Sequence, residues 1–362
     1  MKREQFIFMN IPSLNKILVI VMPYLGDVLL ATPLIHSLRV AYPNAQINVL
    51  VFKNTQAMLE GNPDINEIVT VTQRATLQEK WQFFKQIFRH YDAVFALPTN
   101  DRAFFYSLCA APLRINAVPQ KLKTGWWKRF FVSHWVEFDD DKTHTVLQHL
   151  KLLDLVGIEP LYKFVPPRTE KSKYPLPVNL KYAVLHCCAQ WTYKQWTSQN
   201  WLAVANHLLS LGITPVFSGS NAPKELAYIE NIMTQLPDFA INLAGKTSLA
   251  ELTEIIQNAQ FFIGVDTGAT HLAAATGVPV IALFGATNPV VWSPFPFGYE
   301  SNENPFDRKG SQHVNNVYLL QGEGDCVPCQ LEGCERNRNS RSRCLDELSV
   351  ERVIALINQL LN

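Results

Sequence analysis

The sequence predicts an α/β protein made of two doubly wound domains, each a parallel β-sheet covered by helices on both faces. Three observations lead to this fold class. Short, fully apolar runs of strand length alternate with amphipathic stretches, which is typical of a parallel sheet between helices. A polar, proline-bearing stretch interrupts the alternation, which then starts again. The chain also has 362 residues with 48% hydrophobic content, which is too much for one ordinary core.

The first half of the chain opens with the apolar run KILVIVM at 16–22, which predicts a strand. The loop PYLGD follows, and the amphipathic segment VLLATPLIHSLRVAY before Pro43 predicts the first helix. The remaining elements expected in this half are strands at 47–52, 67–71 and 91–98 and helices near 54–60, 76–90 and 144–157.

The pattern restarts after EPLYKFVPPRTEKSKYPLPVNL (159–180), which shows no clear periodicity and predicts the linker. We therefore place one domain at 1–170, a second at 171–345 and a tail at 346–362. The tail contains LSVERVIALINQLL, whose helical spacing predicts a helix that packs back across the domain junction. The elements expected in the second half are strands at 182–188, 214–220, 261–266 and 279–285 and helices at 198–211, 222–236, 248–258 and after Gly268.

Composition excludes several classes of function. The 32 Lys and Arg residues nearly balance the 31 Asp and Glu residues, so no global field favours nucleic acid as a partner. No run of about 18 apolar residues predicts a membrane span, and the opening residues lack the small-residue cleavage site of a signal peptide. We expect a cytoplasmic protein, with peripheral attachment at the inner face of the cytoplasmic membrane left open. Neither half contains G-x-G-x-x-G, which disfavours a nicotinamide dehydrogenase.

Four of the seven cysteines are clustered near the end of the chain with the spacing C-x2-C-x4-C-x9-C. This spacing is compatible with zinc or, after oxidation, with disulfides. Because the second C-x2-C pair of a zinc ribbon is missing, we expect no bound metal. The four residues are Cys326, Cys329, Cys334 and Cys344.

The stretch VDTGATHLAAATGVPVIALFG at 265–285 places polar residues between two apolar runs. Asp266 ends a predicted buried strand, and residues 266–270 form the turn into a helix. The free amides at a helix N-terminus bind anions, and Gly268 lets a phosphate approach the backbone closely, so the turn suits a diphosphate. Alternatively, Asp266 and Thr267 only cap the helix, and His271 is a structural residue on its inner face.

Two further residues lie at the ends of predicted strands. Asp27, in PYLGD, is placed to accept a proton from a hydroxyl group, although Asp is also favoured as a helix cap. Lys194 lies between Trp191 and Trp196 after the first strand of the second half. A lysine there holds a leaving phosphate as a point charge, or else is simply solvated.

These stretches together resemble glycosyltransferase family nine, the lipopolysaccharide heptosyltransferases. The similarity lies in ILVIVMPYLGDVLLATPLIHSLRVAYPNAQINVLV, WTYKQWTSQNWLAVANHLLSLGITPVFSGS, FIGVDTGATHLAAATGVPVIALFGATNP and the segment from CVPCQLEGC to RCLDELSVERVIALI. The resemblance implies a GT-B fold with an acceptor-binding first domain and a nucleotide-sugar-binding second domain. It also implies inverting transfer from a nucleotide sugar, typically ADP-heptose, with no required metal or cofactor.

The same resemblance implies roles for individual residues. Asp27 takes the position of the catalytic base, and Lys194 that of the lysine at the donor phosphate, which also acts in catalysis. The ribose-binding acid of the family is matched only by Glu225, because Pro223 stands where an acid is expected. The full set of residues expected to bind the donor is Gly26, Lys194, Glu225, Asp266, Thr267, Gly268 and His271.

The expected reaction is transfer of heptose to a lipopolysaccharide or lipooligosaccharide core acceptor. The alternatives are a transferase for another nucleotide sugar and surface glycan, a non-catalytic binder of nucleotide sugars, and a sugar-nucleotide epimerase. Basic and aromatic residues interleave in KLKTGWWKRFF (121–131), which suits an anionic membrane surface or a phosphorylated glycolipid, or else is a surface loop leading into a partly buried helix. The residues expected to bind the acceptor are Arg102, Arg114, Lys123, Lys128 and Arg129.

Overall fold

The structure, a computed structural model, describes residues 14–22, 24–120, 123–170, 176–177 and 179–361. The chain divides into two compact units, with the division between Pro167 and Arg168. The predicted domain limits stay a prediction, and residues 171–175 at the predicted boundary lie outside the described part of the chain. No helix among these residues is long and apolar enough to cross a membrane.

The first unit contains a six-stranded sheet in which every neighbouring pair is parallel. The strand order is β3-β2-β1-β4-β5-β6. This is the doubly wound order, in which successive strands are added first on one side of β1 and then on the other. Its strands are β1 (Lys16–Ile20), β2 (Gln46–Phe52), β3 (Glu67–Val71), β4 (Ala93–Ala96), β5 (Leu113–Pro119) and β6 (His134–Phe138). Its helices are α1 (Leu25–Leu30), α2 (Thr32–Ala41), α3 (Leu77–Ile87), α4 (Asp101–Ala110) and α5 (Thr145–Asp154), with 3₁₀ turns at Gln56–Leu59 and Trp126–Phe131.

Three sequence predictions in this unit differ from the structure. The first predicted helix is two helices, α1 and α2, because Pro33 has no N–H to donate; the Thr32 hydroxyl instead donates to the carbonyl of Leu29 at 2.7 Å. The predicted helix at 54–60 is only a 3₁₀ turn, cut short by Gly61 with its φ of 67°. The helix predicted over 144–157 ends at Asp154, before the left-handed Gly157.

The second unit contains a seven-stranded sheet in the order β12-β13-β11-β10-β7-β8-β9. All its pairs are parallel except the β12–β13 hairpin. Its strands are β7 (Tyr182–His186), β8 (Thr214–Phe217), β9 (Ile241–Asn242), β10 (Phe262–Val265), β11 (Val280–Phe284), β12 (Gln312–Val314) and β13 (Val317–Gln321). Its helices are α6 (Ser198–Ser210), α7 (Pro223–Met233), α8 (Leu249–Gln257), α9 (Gly268–Thr276), α10 (Pro289–Trp292), α11 (Arg343–Asp346) and α12 (Val350–Leu361), with a 3₁₀ turn at Thr192–Lys194.

The tail forms the predicted amphipathic helix, α12, and it packs on α6 within the second unit. Val353 and Ile357 on its apolar face are fully buried in the core of that unit. The indole N–H of Trp196 also donates to the carbonyl of Leu348 at 2.9 Å, which ties the start of the tail to this core. The predicted packing of the tail across the domain junction stays a prediction.

Candidate functional site

A buried polar cluster lies where three neighbouring strands of the second unit end. Asp266 follows β10 and is only 8% exposed. Its Oδ2 atom lies 2.5 Å from the ammonium of Lys194, which follows β7, and accepts a hydrogen bond of 2.6 Å from the hydroxyl of Thr287, which follows β11. Because β7, β10 and β11 are parallel neighbours, their carboxyl ends bring these residues together at the edge where doubly wound sheets bind ligands.

The charges in this cluster are balanced. Burial alone would raise the pKa of the Asp266 carboxyl, but the ammonium of Lys194 and the hydrogen bonds from Lys194 and Thr287 outweigh it and hold that pKa below its ordinary value. Asp266 is therefore ionised at neutral pH. An ammonium group has three N–H donors, so the contact with Asp266 leaves Lys194 with donor capacity for a second anion. The Lys194 ammonium also lies over the aromatic ring of Trp191, 5.3 Å from the centre of that ring.

The turn after Asp266 leads directly into α9. Thr267 occupies the N-cap position of this helix, but its hydroxyl makes no capping bond to the helix amides; it lies 3.4 Å from the hydroxyl of Thr270. Thr270 in turn donates to the carbonyl of Val265 at 2.5 Å. The Thr270 amide donates to the carbonyl of Thr267 at 3.1 Å, whereas the Thr267 side chain leaves the amides of Gly268 and Ala269 uncapped, so these two remain suited to an anion.

His271 lies on the inner face of α9 and is buried beside Asp266 and Lys194. Burial lowers the pKa of its imidazole to about 4, and the charge of Asp266 only partly offsets this effect. The ring is therefore neutral at pH 7. Its Nδ1 atom has no hydrogen-bond partner within the described part of the chain, and a buried polar atom of this kind usually meets a ligand or a water molecule.

A second polar group lies at the ends of β7 and β8. His186, the last residue of β7, has its Nδ1 atom 2.9 Å from the hydroxyl of Ser218, and burial lowers the pKa of its imidazole to about 4. Glu225, in the first turn of α7, accepts a hydrogen bond of 2.8 Å from the Ser220 amide. Sequence reasoning missed His186 and Thr287. The polar last residue of an otherwise apolar strand could have pointed to His186, whereas Thr287 carries no such signal.

In the first unit, Asp27 lies in the first turn of α1 and not in the predicted loop. Its Oδ2 atom accepts a hydrogen bond from the Tyr24 amide at 3.4 Å, which is long for a capping bond. Gly26 precedes it in the same turn, and both residues are partly exposed. The alternative capping role of Asp27 is therefore present in weak form.

The five cations expected at the acceptor are engaged within the first unit. Arg102 donates to the carbonyl of Gln73 at 3.0 Å, and Arg114 donates to the carbonyls of Ala111 and Phe131 at the same distance. Lys123 forms an ion pair with Asp140, and Arg129 with Glu137 at 2.9 Å. Lys128 is buried, where its ammonium meets Asp101 and the carbonyl of Thr99, each at 2.7 Å. Their role at an acceptor stays a prediction, and Lys121 of the same segment lies outside the described residues.

The four late cysteines are thiols in the structure, and so are the other three. Burial, followed by the nearby Cys329, Cys334 and Cys326, raises the pKa of the Cys344 thiol to about 11. Within the described ranges, no three His, Cys, Asp or Glu side chains are arranged to hold a metal ion. The expectation that this segment binds no metal stays a prediction.

The sequence of this chain is similar to those of a known protein family and of individual known proteins. The sequence model of the family described as "Glycosyltransferase family 9 (heptosyltransferase)" matches residues 81–316. The chain is 30% identical over 291 residues to lipopolysaccharide heptosyltransferase 3 of Escherichia coli, covering 76% of this chain and 84% of the relative. It is 24% identical over 320 residues to the lipopolysaccharide core heptosyltransferase OpsX of Haemophilus influenzae, covering 85% and 91%.

Two solved structures have the same fold. The glycosyl transferase family 9 protein of Veillonella parvula superposes with a TM-score of 0.74 at 21% identity, covering 96% of this chain and 97% of that one. The E. coli heptosyltransferase WaaC with ADP-2-deoxy-2-fluoro heptose superposes with a TM-score of 0.69 at 17% identity, covering 95% and 99%. These likenesses confirm the predicted α/β fold class, GT-B with two parallel-sheet domains.

Proposed function

Because this chain belongs to glycosyltransferase family 9, the heptosyltransferase family, we propose that it transfers heptose from ADP-heptose to a lipopolysaccharide or lipooligosaccharide core acceptor. Family membership makes it a glycosyltransferase. Two curated relatives are named for transfer to lipopolysaccharide or its core, and a solved relative holds an ADP-heptose analogue. These names support the choice of donor and acceptor.

The observation that carries the proposal is the contact of Lys194 and Thr287 with the buried carboxylate of Asp266, at the start of α9. Asp266, which is itself held by Thr287, fixes Lys194 in place without using all of its donors. A donor diphosphate placed here would meet the Lys194 ammonium and the first amides of α9, near Gly268. Such fixed positive groups stabilise the charge that develops on a departing diphosphate.

Two neighbouring groups complete the proposed donor site. The neutral His271 lies next to Asp266 with a ring nitrogen that meets no partner among the described residues, and this nitrogen suits a hydroxyl or phosphate oxygen. Glu225, near the end of β8, is proposed to accept hydrogen bonds from the ribose hydroxyls. Lys194 and the N-terminus of α9 supply positive charge that a divalent cation would otherwise supply, so we propose transfer without a metal.

Asp27 of the first unit is the proposed base, with Gly26 beside it. In this step the acceptor oxygen forms a bond to the anomeric carbon while the bond from that carbon to the diphosphate oxygen breaks. The hydroxyl proton passes to the Asp27 carboxylate, and ADP leaves with the electron pair of the broken bond. Attack on the face opposite the leaving group inverts the anomeric carbon. We propose that the acceptor binds five cations of this unit and replaces their present partners there. These cations are Arg102, Arg114, Lys123, Lys128 and Arg129.

A thermal-shift series across nucleotide sugars tests the donor. A ligand that binds only the folded state stabilises it by about 2.7 kcal/mol at a hundredfold excess over its Kd. ADP-heptose should raise the melting temperature most, followed by ADP, with UDP-sugars and GDP-sugars giving little change at equal concentration. A larger shift with UDP- or GDP-sugars would reject ADP-heptose as the donor and favour a transferase for another nucleotide sugar.

A further inference from the structure

Helix α3 of the first unit carries an apolar stripe that the fold does not bury. Leu77, Trp81, Phe84 and Phe88 follow one another at intervals of four, three and four residues, which places them on one side of the helix. Leu77 is 84% exposed, Trp81 58% and Phe88 51%. Single exposed apolar residues are ordinary, but a continuous row of this kind marks an interaction surface.

The stripe is not needed to attach α3 to its unit. A different side of the helix does this: Ile87 is buried in the core, and the ring of Phe83 packs edge-on against Tyr106 of α4 at 4.9 Å. The rings of the stripe contact each other, with Phe84 stacked on Trp81 at 5.5 Å and 5.0 Å from Phe88. The stripe is therefore preformed and costs little side-chain entropy when it binds.

Positive charges border the stripe. Lys80, Lys85 and Arg89 are exposed, and none of them forms an ion pair with another residue that the structure describes. The ammonium of Lys85 lies 5.3 Å from the Trp81 ring, and the guanidinium of Arg89 lies 5.9 Å from Phe88. The acid of this helix, Glu79, is held in the capping box with Thr76. These cations thus differ from those of 123–129, whose charges are already paired.

The exposed aromatic surface continues beyond α3. Phe105 of the neighbouring α4 is exposed, and so are Trp127 and Phe130 of the 3₁₀ turn Trp126–Phe131. Phe104 of α4, which is itself buried, links α4 to this turn, because Trp127 packs edge-on against it at 5.6 Å. The turn and α4 thus share one aromatic region, and α3 contacts α4 within the same unit.

We propose that the α3 stripe, together with the exposed Phe105, Trp127 and Phe130 of the same unit, docks this protein on the surface of a bilayer that contains anionic lipids. Aromatic side chains bordered by Lys and Arg are the composition of helices that lie in a membrane interface. Lys80, Lys85 and Arg89 are complementary to lipid phosphates, whereas a second copy of the same face would bring like charges together. The inference deepens the proposed function, since a glycolipid acceptor lies in such a surface, but vesicles without acceptor test it separately.

Co-sedimentation with vesicles is the test, and the probe is phosphatidylethanolamine vesicles with or without phosphatidylglycerol. The full-length protein should sediment with the anionic vesicles. The variant Trp81→Ser/Phe88→Ser should lower the partition coefficient by roughly tenfold or more, because each ring buries apolar area in the interface. Replacing Lys80, Lys85 and Arg89 by Gln should lower it by about fivefold per residue on anionic vesicles and change little on neutral ones.

The matched control is Phe239→Ser/Leu211→Ser, which removes two exposed apolar side chains from the second unit and should leave vesicle binding unchanged. Thermal unfolding of each variant verifies that it folds. The proposal is wrong if the wild-type protein stays in the supernatant, or if the control variant loses as much binding as the α3 variant. It is also wrong if the α3 substitutions only convert a dimer to a monomer, as seen by light scattering.

The same proteins separate this proposal from the transferase proposal. On an acceptor dispersed in detergent, the Trp81→Ser/Phe88→Ser variant should transfer sugar at the wild-type rate. A wild-type protein that binds vesicles but transfers nothing would contradict the proposed function and leave membrane docking supported.

Discussion

Replacing Lys194 by Met removes one positive charge from the donor site while keeping much of the side-chain volume. Asp266 is buried, and its Oδ2 atom would lose the ammonium and keep, among the described residues, the hydrogen bond from Thr287. Breaking a buried ion pair by removing one partner typically destabilises a protein by about 3–5 kcal/mol. Since burial raises the pKa of Asp266 once the ammonium is gone, protonation should relieve part of this cost, so the loss of stability should be smaller at acidic pH.

The same substitution should weaken donor binding, because a hydrogen bond to a charged group contributes about 1.5–3 kcal/mol. This corresponds to roughly a 10- to 150-fold increase in the Kd for ADP, which isothermal titration calorimetry measures. The double variant Lys194→Met/Asp266→Asn is the matched control, since it removes the stranded carboxylate as well. It should recover stability in urea unfolding but not recover ADP binding. A Lys194→Met protein that binds ADP as tightly as wild type would refute the placement of the diphosphate.

Three further outcomes follow from the structure. Asp27→Asn should lower kcat by about 10²- to 10⁴-fold and leave the Kd for ADP unchanged, as measured by ADP release and calorimetry; an active variant would exclude Asp27 as the base. Thr287→Val should reduce the free energy of unfolding by roughly 1–3 kcal/mol, because Asp266 loses a buried donor, and unchanged urea unfolding would argue against this. Burial lowers the pKa of His149, His186 and His271 to about 4 from 6.5, so the unfolded chain binds more protons between these values. The free energy of unfolding should therefore fall as the pH is lowered from 6.5 towards 4, by up to about 4 kcal/mol per pH unit for the three together, and a flat profile would contradict it.

The sequence predicted the strands that are buried on both faces, because such strands are apolar throughout. Ile17–Ile20 of β1 and the residues of β11 are examples, fully buried in their sheets. Strands β5 and β6 were missed, since Arg114 and His134 interrupt their apolar pattern near the edge of the sheet. The β12–β13 hairpin was also missed, because its turn at Asn315, with a φ of 49°, lacks the Asn-Gly or Asp-Gly pair that signals a two-residue hairpin.

The candidate site was predictable where a residue lies at the end of an apolar strand. This holds for Asp266, which follows β10, and for Lys194 in the loop after β7. Thr287 was not predictable, because its importance comes from a contact with Asp266, 21 residues earlier in the chain.

The sequence does not reveal that the basic residues of 123–129 form ion pairs, because this pairing depends on acids that the fold supplies from elsewhere. Asp101 of α4 pairs with Lys128, and Asp140, after β6, pairs with Lys123. Residue type and local spacing therefore identified the strand-end residues but not the partners that neutralise a surface segment.

The most direct test is mass spectrometry of a heptose-deficient core lipopolysaccharide incubated with ADP-heptose and either the wild-type protein or Asp27→Asn. We predict that the wild-type protein adds one heptose to the acceptor for each ADP released, and that the variant does so at least about a hundredfold more slowly at the same enzyme concentration while still binding ADP. An acceptor that gains no mass with the wild-type protein, or ADP release that does not depend on the acceptor, would contradict it.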